Sequence, residues 1–230
     1  ILSKLASHGA AQRIGKGKYA IVPADVLYRR KSYVADPLVL VSELMKGVDY
    51  YVAYLSAAHF HGLTEQIPFK TIVAVPKQLR SINVGNIRIC FVKLKKSRFF
   101  GYSNVRYSDT FLNVSDLEKT IVDCVNRQDL CGGAAEVIRI IANATETKRI
   151  YWHKIGLHVE KYESHALAQR MGFIIELLAE RKKIQVDQEL INDLTLLTGS
   201  KIYPLDLKAP KEGKLSKKWG IINNAGQLEI

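Results

Sequence analysis

Residues 9–23 read GAAQRIGKGKYAIVP, and this stretch decides how the start of the chain folds. Two short stretches that could form strands, 12–14 and 18–22, flank Gly15-Lys16-Gly17. Glycine supplies the positive φ angles that a tight turn between antiparallel strands requires. Pro23 follows the second run and closes it. The stretch therefore predicts a β-hairpin with a basic, glycine-containing tip.

A short helix is predicted immediately before this hairpin. Ile1, Leu2 and Leu5 follow helical spacing, and Gly9 stands where a glycine commonly ends a helix. A helix that leads into a basic hairpin is the second half of a winged helix-turn-helix, in which the helix lies in the major groove and the hairpin, or wing, contacts phosphates or the minor groove. The alternative is an ordinary solvent-exposed hairpin, and residues 1–23 alone leave both open.

The charge of the chain favours a polyanionic partner. The sequence has 230 residues and a formal net charge of +12 at pH 7. Residues 1–34 hold seven basic side chains against Asp25 alone, a net charge of +6. Such a concentration of positive charge is typical of nucleic-acid-binding proteins. The predicted DNA-contacting residues are Lys4, Arg13, Lys16, Lys18, Arg29, Arg30 and Lys31.

A second basic stretch covers residues 77–106, which contain eight Lys and Arg residues and no acid. Aromatic residues lie among them, and this combination can hold a nucleic-acid backbone or an acidic protein. The alternative is that alternate strand residues simply face solvent. The second predicted basic surface consists of Arg88, Lys93, Lys95, Lys96 and Arg98.

Beyond the hairpin the pattern predicts an α+β protein. Asp36-Pro37 should begin a helix that Gly47 ends, and a second helix is expected from Ser56 to Gly62. β-Branched and aromatic runs predict strands of a mixed or antiparallel sheet. These strands are expected at 71–75, 87–94 and 111–114.

The second half of the chain is predicted to be mainly helical. Ser115 and Glu118 match a capping box, which would start a helix that runs to Val125. Further helices are expected after Gly132-Gly133, at 165–182 and at 187–197, and the last thirty residues are expected to be irregular. The predicted domains are a partial winged-helix domain at 1–34, an α/β domain at 35–147 and a mainly helical subdomain at 148–230.

Neither a membrane span nor a metal site is predicted. No run approaches the roughly 18 apolar residues that a membrane helix needs, the first residues lack the order of a secretory signal, and we expect a cytoplasmic protein. The chain begins with Ile1 rather than Met, so we expect that further residues precede it. Cys90, Cys124 and Cys131 are odd in number and form no C-x-x-C, which indicates buried thiols. We predict no cofactor.

Enzyme chemistry is the principal alternative. A metal-dependent nuclease or a nucleotidyl or phosphoryl transferase would use Asp109, Glu118 or Asp123 as metal ligands. Glu118 and Lys119 are adjacent, however, so the E-x-K spacing of such nucleases is missing. His59 and His61 point about 200° apart on a helix and cannot share one ion. We therefore predict no enzyme, and a pure protein-binding module is the third possibility.

Several segments, taken together and in this order, resemble the AbiEi family of type IV antitoxins, which are described as transcriptional regulators of viral defence systems. They are the stretch at 9–23, LSAAHFHGLTEQIP at 55–68, TIVAVPK at 71–77, VSDLEKTIVDCV at 114–125, ALAQRMGFIIELL at 166–178 and LTGSKIYPLDLKAPKEGKLSKKWGIINN at 197–224.

The resemblance implies an N-terminal winged helix that binds inverted repeats in the promoter of its own operon, with two copies on one repeat acting as a repressor. It also implies a C-terminal region that opposes a nucleotidyltransferase-like toxin. We therefore expect a DNA-binding autorepressor and antitoxin of a phage-defence system. Its expected partners are double-stranded operator DNA and such a toxin.

Overall fold

The computed structural model describes residues 1–8, 11–15, 18–21, 36–84, 87–146, 150–182 and 185–226. The fold is α+β, as the sequence predicts, with eight α-helices in these ranges. The chain divides into two compact units. The first unit is Ile1–Val52, Phe69–Leu94 and Asn104–Val114, and the second is Ala53–Pro68, Lys95–Ser103 and Ser115–Ile230.

The first unit begins with a helix and a hairpin. Helix α1 (Leu2–Ser7) precedes strands β1 (Ala11–Gly15) and β2 (Lys18–Ile21), which pair antiparallel with Ala11 opposite Ile21. The register shifts between Arg13 and Gly15. Among the described strands, β1 and β2 form a two-stranded sheet of their own. The predicted hairpin is therefore confirmed.

The next helix, α2 (Pro37–Leu44), begins as its sequence predicts. The Asp36 carboxylate accepts hydrogen bonds from the backbone N–H groups of Leu38 at 2.8 Å and Val39 at 3.3 Å. These bonds satisfy two of the donors that a helix start leaves unpaired, and proline at the first position needs none.

The largest sheet has six strands in the order β5-β6-β4-β3-β8-β7, and most of its residues belong to the first unit. Strand β3 pairs antiparallel with β4 and parallel with β8, while β6 pairs parallel with β4 and antiparallel with β5, so the sheet is mixed. The strands are β3 (Tyr51–Val52), β4 (Thr71–Val75), β5 (Ile82–Val84), β6 (Ile87–Lys93), β7 (Tyr102–Tyr107) and β8 (Thr110–Ser115).

Strand β4 forms the centre of this sheet. All five of its residues are buried, and the run TIVAV is the continuous apolar pattern that a strand covered on both faces requires. At one edge, the Tyr107 hydroxyl donates a hydrogen bond to Asp36 at 2.8 Å, and burial together with this bond raises the pKa of Tyr107 to about 12. This bond connects β7 to the start of α2.

The second unit is mainly helical. Its helices are α3 (Tyr54–Phe60), α4 (Leu117–Asn126), α5 (Ala134–Glu146), α6 (Trp152–Glu160), α7 (His165–Lys182) and α8 (Gln188–Leu196). The expectation that the last thirty residues are irregular is wrong, because they contain a three-stranded sheet in the order β10-β11-β9. Its strands are β9 (Tyr203–Pro204), β10 (Lys214–Ser216) and β11 (Ile221–Asn223).

The predicted capping box at the start of α4 is wrong in its residues. Asp116 is the N-cap, and its carboxylate accepts a hydrogen bond from the Lys119 N–H at 2.7 Å. Ser115 is still the last residue of β8, so it is one position too early to cap, and its hydroxyl pairs with that of Thr120 at 2.7 Å. Glu118 instead accepts a hydrogen bond from the Tyr151 N–H at 3.0 Å.

Trp219 holds the C-terminal sheet against α7. Its side chain is 1% exposed, and the indole N–H donates to Glu176 at 2.6 Å. A Cβ atom on Gly172 would lie 2.1 Å from the indole ring, so the ring approaches α7 more closely than any other residue at 172 permits. The Gln169 amide adds a hydrogen bond to the Trp219 carbonyl at 2.8 Å.

Two further sequence expectations concern membranes and thiols. Within the described ranges, no helix is long and apolar enough to cross a bilayer. Cys124 and Cys131 are buried free thiols, as predicted, whereas Cys90 is partly exposed.

Candidate functional site

The predicted DNA-contacting residues fall on the first three elements and on segments outside the described residues. Lys4 is exposed on α1, and the backbone places Arg13 on β1 and Lys18 on β2. Arg13 pairs with Tyr19, and Gly15 pairs with Lys18 across the hairpin. The positions outside the described residues are Lys16, Arg29, Arg30 and Lys31. DNA contact by this set stays a prediction.

The second predicted basic surface is divided between the two units. Arg88 and Lys93 are exposed on β6 in the first unit, where they alternate with buried apolar residues. In the second unit, Lys95 and Lys96 are exposed, and Arg98 donates a hydrogen bond to the Tyr162 carbonyl at 2.6 Å. Its guanidinium also lies 4.9 Å from the centre of the Tyr162 ring, so Arg98 has an internal structural role.

A buried ionic cluster lies at the centre of the second unit. The side chains of Lys119 and Asp123, one turn apart on α4, are both 0% exposed, and the Nζ–Oδ1 distance is 2.5 Å. Lys119 Nζ also lies 2.7 Å from the hydroxyl of Tyr162, which hydrogen-bonds to Asp123. The ammonium, carboxylate and phenol therefore satisfy one another away from solvent, as buried charges must.

Aromatic rings and a glycine close this cluster. Lys119 Nζ lies 5.1 Å from the centre of the Phe100 ring and 5.0 Å from that of Tyr162. A Cβ atom on Gly101 would be only 3.0 Å from the Lys119 side chain, and the φ of +70° at Gly101 also favours glycine. Burial lowers the pKa of Lys119, and the neighbouring Asp123 carboxylate opposes this shift only in part.

A second ionic cluster lies at the start of α4. Lys154 Nζ lies 3.1 Å from both Asp116 Oδ2 and Glu118 Oε2. His158 Nε2 is 3.6 Å from Asp116 Oδ1, a distance that allows electrostatic attraction rather than a hydrogen bond. Burial would raise the pKa of Asp116, but His158, the Lys119 N–H and Lys154 outweigh it, so this pKa is lowered.

The carboxylates of the enzyme alternative occupy different environments. Asp109 is exposed in the turn between β7 and β8 of the first unit. Glu118 pairs with Lys154, and Asp123 with Lys119, in the second unit. The described part of the chain contains no group of three His, Cys, Asp or Glu residues arranged to hold a metal ion. Of the two histidines, His59 is exposed and His61 Nε2 lies 2.7 Å from the Ser115 carbonyl oxygen.

A polar pocket beside α5 was missed by the sequence analysis. Glu136 is 4% exposed and accepts hydrogen bonds from the Thr64 hydroxyl at 2.5 Å, the Gln66 amide at 2.8 Å and Arg139 Nε at 3.1 Å. The pocket has a volume of about 420 Å³, and Asn143 also lines it. The available signal was Glu136 itself, an acid on the apolar stripe of α5.

A groove between α6 and α8 was also missed. Its volume is about 300 Å³. The lining residues are His153, Gly156, Leu157, Glu160, Asp193, Leu196 and Leu197. The available signal was Leu196, which lies outside the apolar stripe of the predicted helix at 187–197.

Comparison with known proteins adds evidence on the fold. The chain matches no family model and no curated protein sequence. It is similar in structure to the Rv2827c protein from Mycobacterium tuberculosis, with a TM-score of 0.67 over 96% of this chain and 77% of that one, at 11% sequence identity. At this identity the likeness concerns the fold alone, and it agrees with the α+β class.

The buried ionic cluster predicts a large stability effect. Lys119→Met removes the ammonium and leaves the Asp123 carboxylate buried without a cation, which should lower the free energy of unfolding by about 3–5 kcal/mol. The double variant Lys119→Met/Asp123→Leu should lose less than Lys119→Met alone, because no uncompensated charge remains. Urea unfolding curves measure both effects.

A surface ion pair supplies the control for this experiment. Arg127 and Asp129 lie 2.8 Å apart with side chains 43% and 37% exposed, so Arg127→Met should cost less than about 1 kcal/mol. The structural role of the buried cluster is contradicted if Lys119→Met costs no more than Arg127→Met.

The lowered pKa of Asp116 predicts a pH-dependent contribution to stability. A carboxyl whose pKa is lower in the folded state than in the unfolded state stabilises the folded state at pH values above its unfolded pKa. This contribution disappears as the pH falls through the folded pKa. Asn also caps helices, so Asp116→Asn removes mainly the charge. The stability difference between the wild type and Asp116→Asn should shrink as the pH falls below about 4.

Denaturant unfolding at a series of pH values measures this difference. Asp187→Asn is the matched control, because Asp187 caps α8 through the Glu189 N–H and is exposed. A stability difference for Asp116→Asn that does not shrink below about pH 4 would refute the assigned ion pair with Lys154.

Proposed function

We propose that this chain is a DNA-binding transcriptional autorepressor and the antitoxin of an AbiE-like toxin–antitoxin system. The observation that carries the proposal is the order of the first elements. Helix α1 ends at Ser7, and a hairpin begins at Ala11 that, among the described strands, pairs only with itself. This is the order of recognition helix and wing in a winged helix-turn-helix.

The separate hairpin suits a wing for a physical reason. A wing must reach phosphates beside the recognition helix, and a two-stranded ribbon that does not pair with the main sheet can extend toward them. The net charge of +6 over residues 1–34 provides the attraction to DNA. Each lysine or arginine that meets a phosphate releases counterions, so the affinity should fall steeply as the salt concentration rises.

The antitoxin part of the proposal rests on the resemblance of the later segments. Residues 114–125, 166–178 and 197–224 carry most of that resemblance in the second half of the chain. We assign this half to opposing a nucleotidyltransferase-like toxin. The proposed location is the cytoplasm, where operator DNA and such a toxin are both found.

Charge reversal at the wing tests the DNA-binding part. Lys16→Glu/Lys18→Glu should weaken binding to the chain's own promoter region by at least about tenfold, because two phosphate contacts become repulsive. The dependence of affinity on salt should also become shallower. Fluorescence anisotropy with labelled promoter DNA at several salt concentrations measures both changes.

The matched control reverses two exposed lysines in the second unit, Lys161→Glu/Lys201→Glu, and so changes the net charge by the same amount. It should weaken binding far less than the wing variant. Equal affinity of the wild type and the wing variant at moderate salt would rule out the wing assignment.

Co-expression tests the antitoxin part separately. The product of the adjacent reading frame should arrest growth when it is expressed alone, and co-expression of this chain should restore growth. Arrest that persists in the presence of the folded chain, or an adjacent product without toxicity, would contradict the antitoxin assignment while leaving the DNA-binding result unaffected.

A further inference from the structure

The groove between α6 and α8 exposes aliphatic side chains. Leu196 is 84% exposed and Leu157 45% exposed, and both line it. Gly156 allows the two helices to approach, since a Cβ atom there would lie 3.2 Å from Leu190 Cδ1. The groove is therefore a defined depression between two packed helices rather than a set of scattered surface leucines.

The charged residues of this groove are unusual for the chain. Glu160 and Asp193 line it and both are acidic, whereas the chain as a whole carries a net charge of +12. His153 and Leu157 share the exposed face of α6 with Glu160 at i, i+4 and i+7 spacing. An aliphatic centre with acidic edges favours a segment that presents aliphatic and basic side chains.

Such a segment lies elsewhere on the second unit, at residues 207–217, which read LKAPKEGKLSK. It holds four lysines against Glu212 alone, a net charge of +3. Leu207 and Leu215 are 47% and 40% exposed. The segment includes β10, which is an edge strand of the three-stranded sheet.

We propose that the α6–α8 groove of one copy receives residues 207–217 of a second copy of this chain. Within one chain both surfaces are exposed, so neither covers the other. A reciprocal arrangement about a two-fold axis would place two of these contacts in one closed interface. This self-association goes beyond the proposed DNA binding, because it requires no DNA.

The interface combines two physical terms. Burial of Leu157 and Leu196 against Leu207 and Leu215 removes apolar surface from water. Lysines of residues 207–217 meet Glu160 and Asp193, which orients the two copies and makes association weaker at high salt. Lysines on an edge strand have a second known role, because in monomeric proteins they discourage strand pairing. Exchanging the charges of the two surfaces by mutation distinguishes this role from attraction to the acidic groove.

Sedimentation velocity of the DNA-free chain over a concentration series tests the proposal. The wild type should form dimers that dissociate as the salt concentration rises. Glu160→Lys/Asp193→Lys and Lys211→Glu/Lys214→Glu should each raise the dimer dissociation constant by about tenfold or more. The quadruple variant, which combines all four substitutions, restores opposite charges across the interface. Its dimer dissociation constant should return to within a few-fold of the wild-type value.

Control variants distinguish the loss of interface contacts from the effects of altered net charge or of unfolding. Asp49→Lys/Glu180→Lys makes the same charge change at exposed positions outside the groove and should leave dimerisation unchanged. Leu196→Ser should weaken dimerisation without any change in charge, and circular dichroism confirms that each variant is folded. Any of three results would overturn the proposal. The wild type could be monomeric at every concentration, neither charge-reversed variant could weaken the dimer, or the quadruple variant could fail to restore association.

Discussion

The buried contact between Lys119, Asp123 and Tyr162 is the constraint on which the second unit depends. An unpaired ammonium or carboxylate inside the protein costs several kcal/mol, so each charge requires the other and the phenol in place. Lys119 and Asp123 come from α4, while Tyr162 follows α6 and Phe100 lies in the segment 95–103. One polar cluster therefore fixes three separate stretches of the chain around a single point, and apolar packing fills the space around it.

Elements with strong local signals were predictable from the sequence. The caps at Asp36 and Asp187 and the helix at 165–182 are confirmed, because side-chain caps and long amphipathic stripes act locally. The strands at 51–52, 82–84 and 102–107 and the C-terminal sheet were missed. Strands of two or three residues are too short to show a strand pattern in a sequence window. The strand at 102–107 contains no buried residue, so it lacks the apolar face that would mark it.

The candidate sites divide in the same way. Two glycines around Lys16 were enough to predict the hairpin, and the concentration of charge was enough to suggest a polyanion. The ionic cluster was not predictable, because Lys119 and Asp123 one turn apart resemble an ordinary solvent-exposed helix pair. Their burial depends on Tyr162, which is 43 residues from Lys119. Likewise, Ser115 matched a capping pattern, but it is the last residue of β8, so its backbone belongs to the strand rather than to the start of the helix.

The position of Trp219 has an optical consequence. The chain contains two tryptophans, of which Trp152 is partly exposed and Trp219 lies almost wholly inside with its indole N–H on Glu176. An indole shielded from water emits at shorter wavelengths than a hydrated one, because solvent dipoles cannot reorient around its excited state. The intrinsic fluorescence of this chain therefore contains a built-in reporter of whether the C-terminal strands remain docked on the long helix.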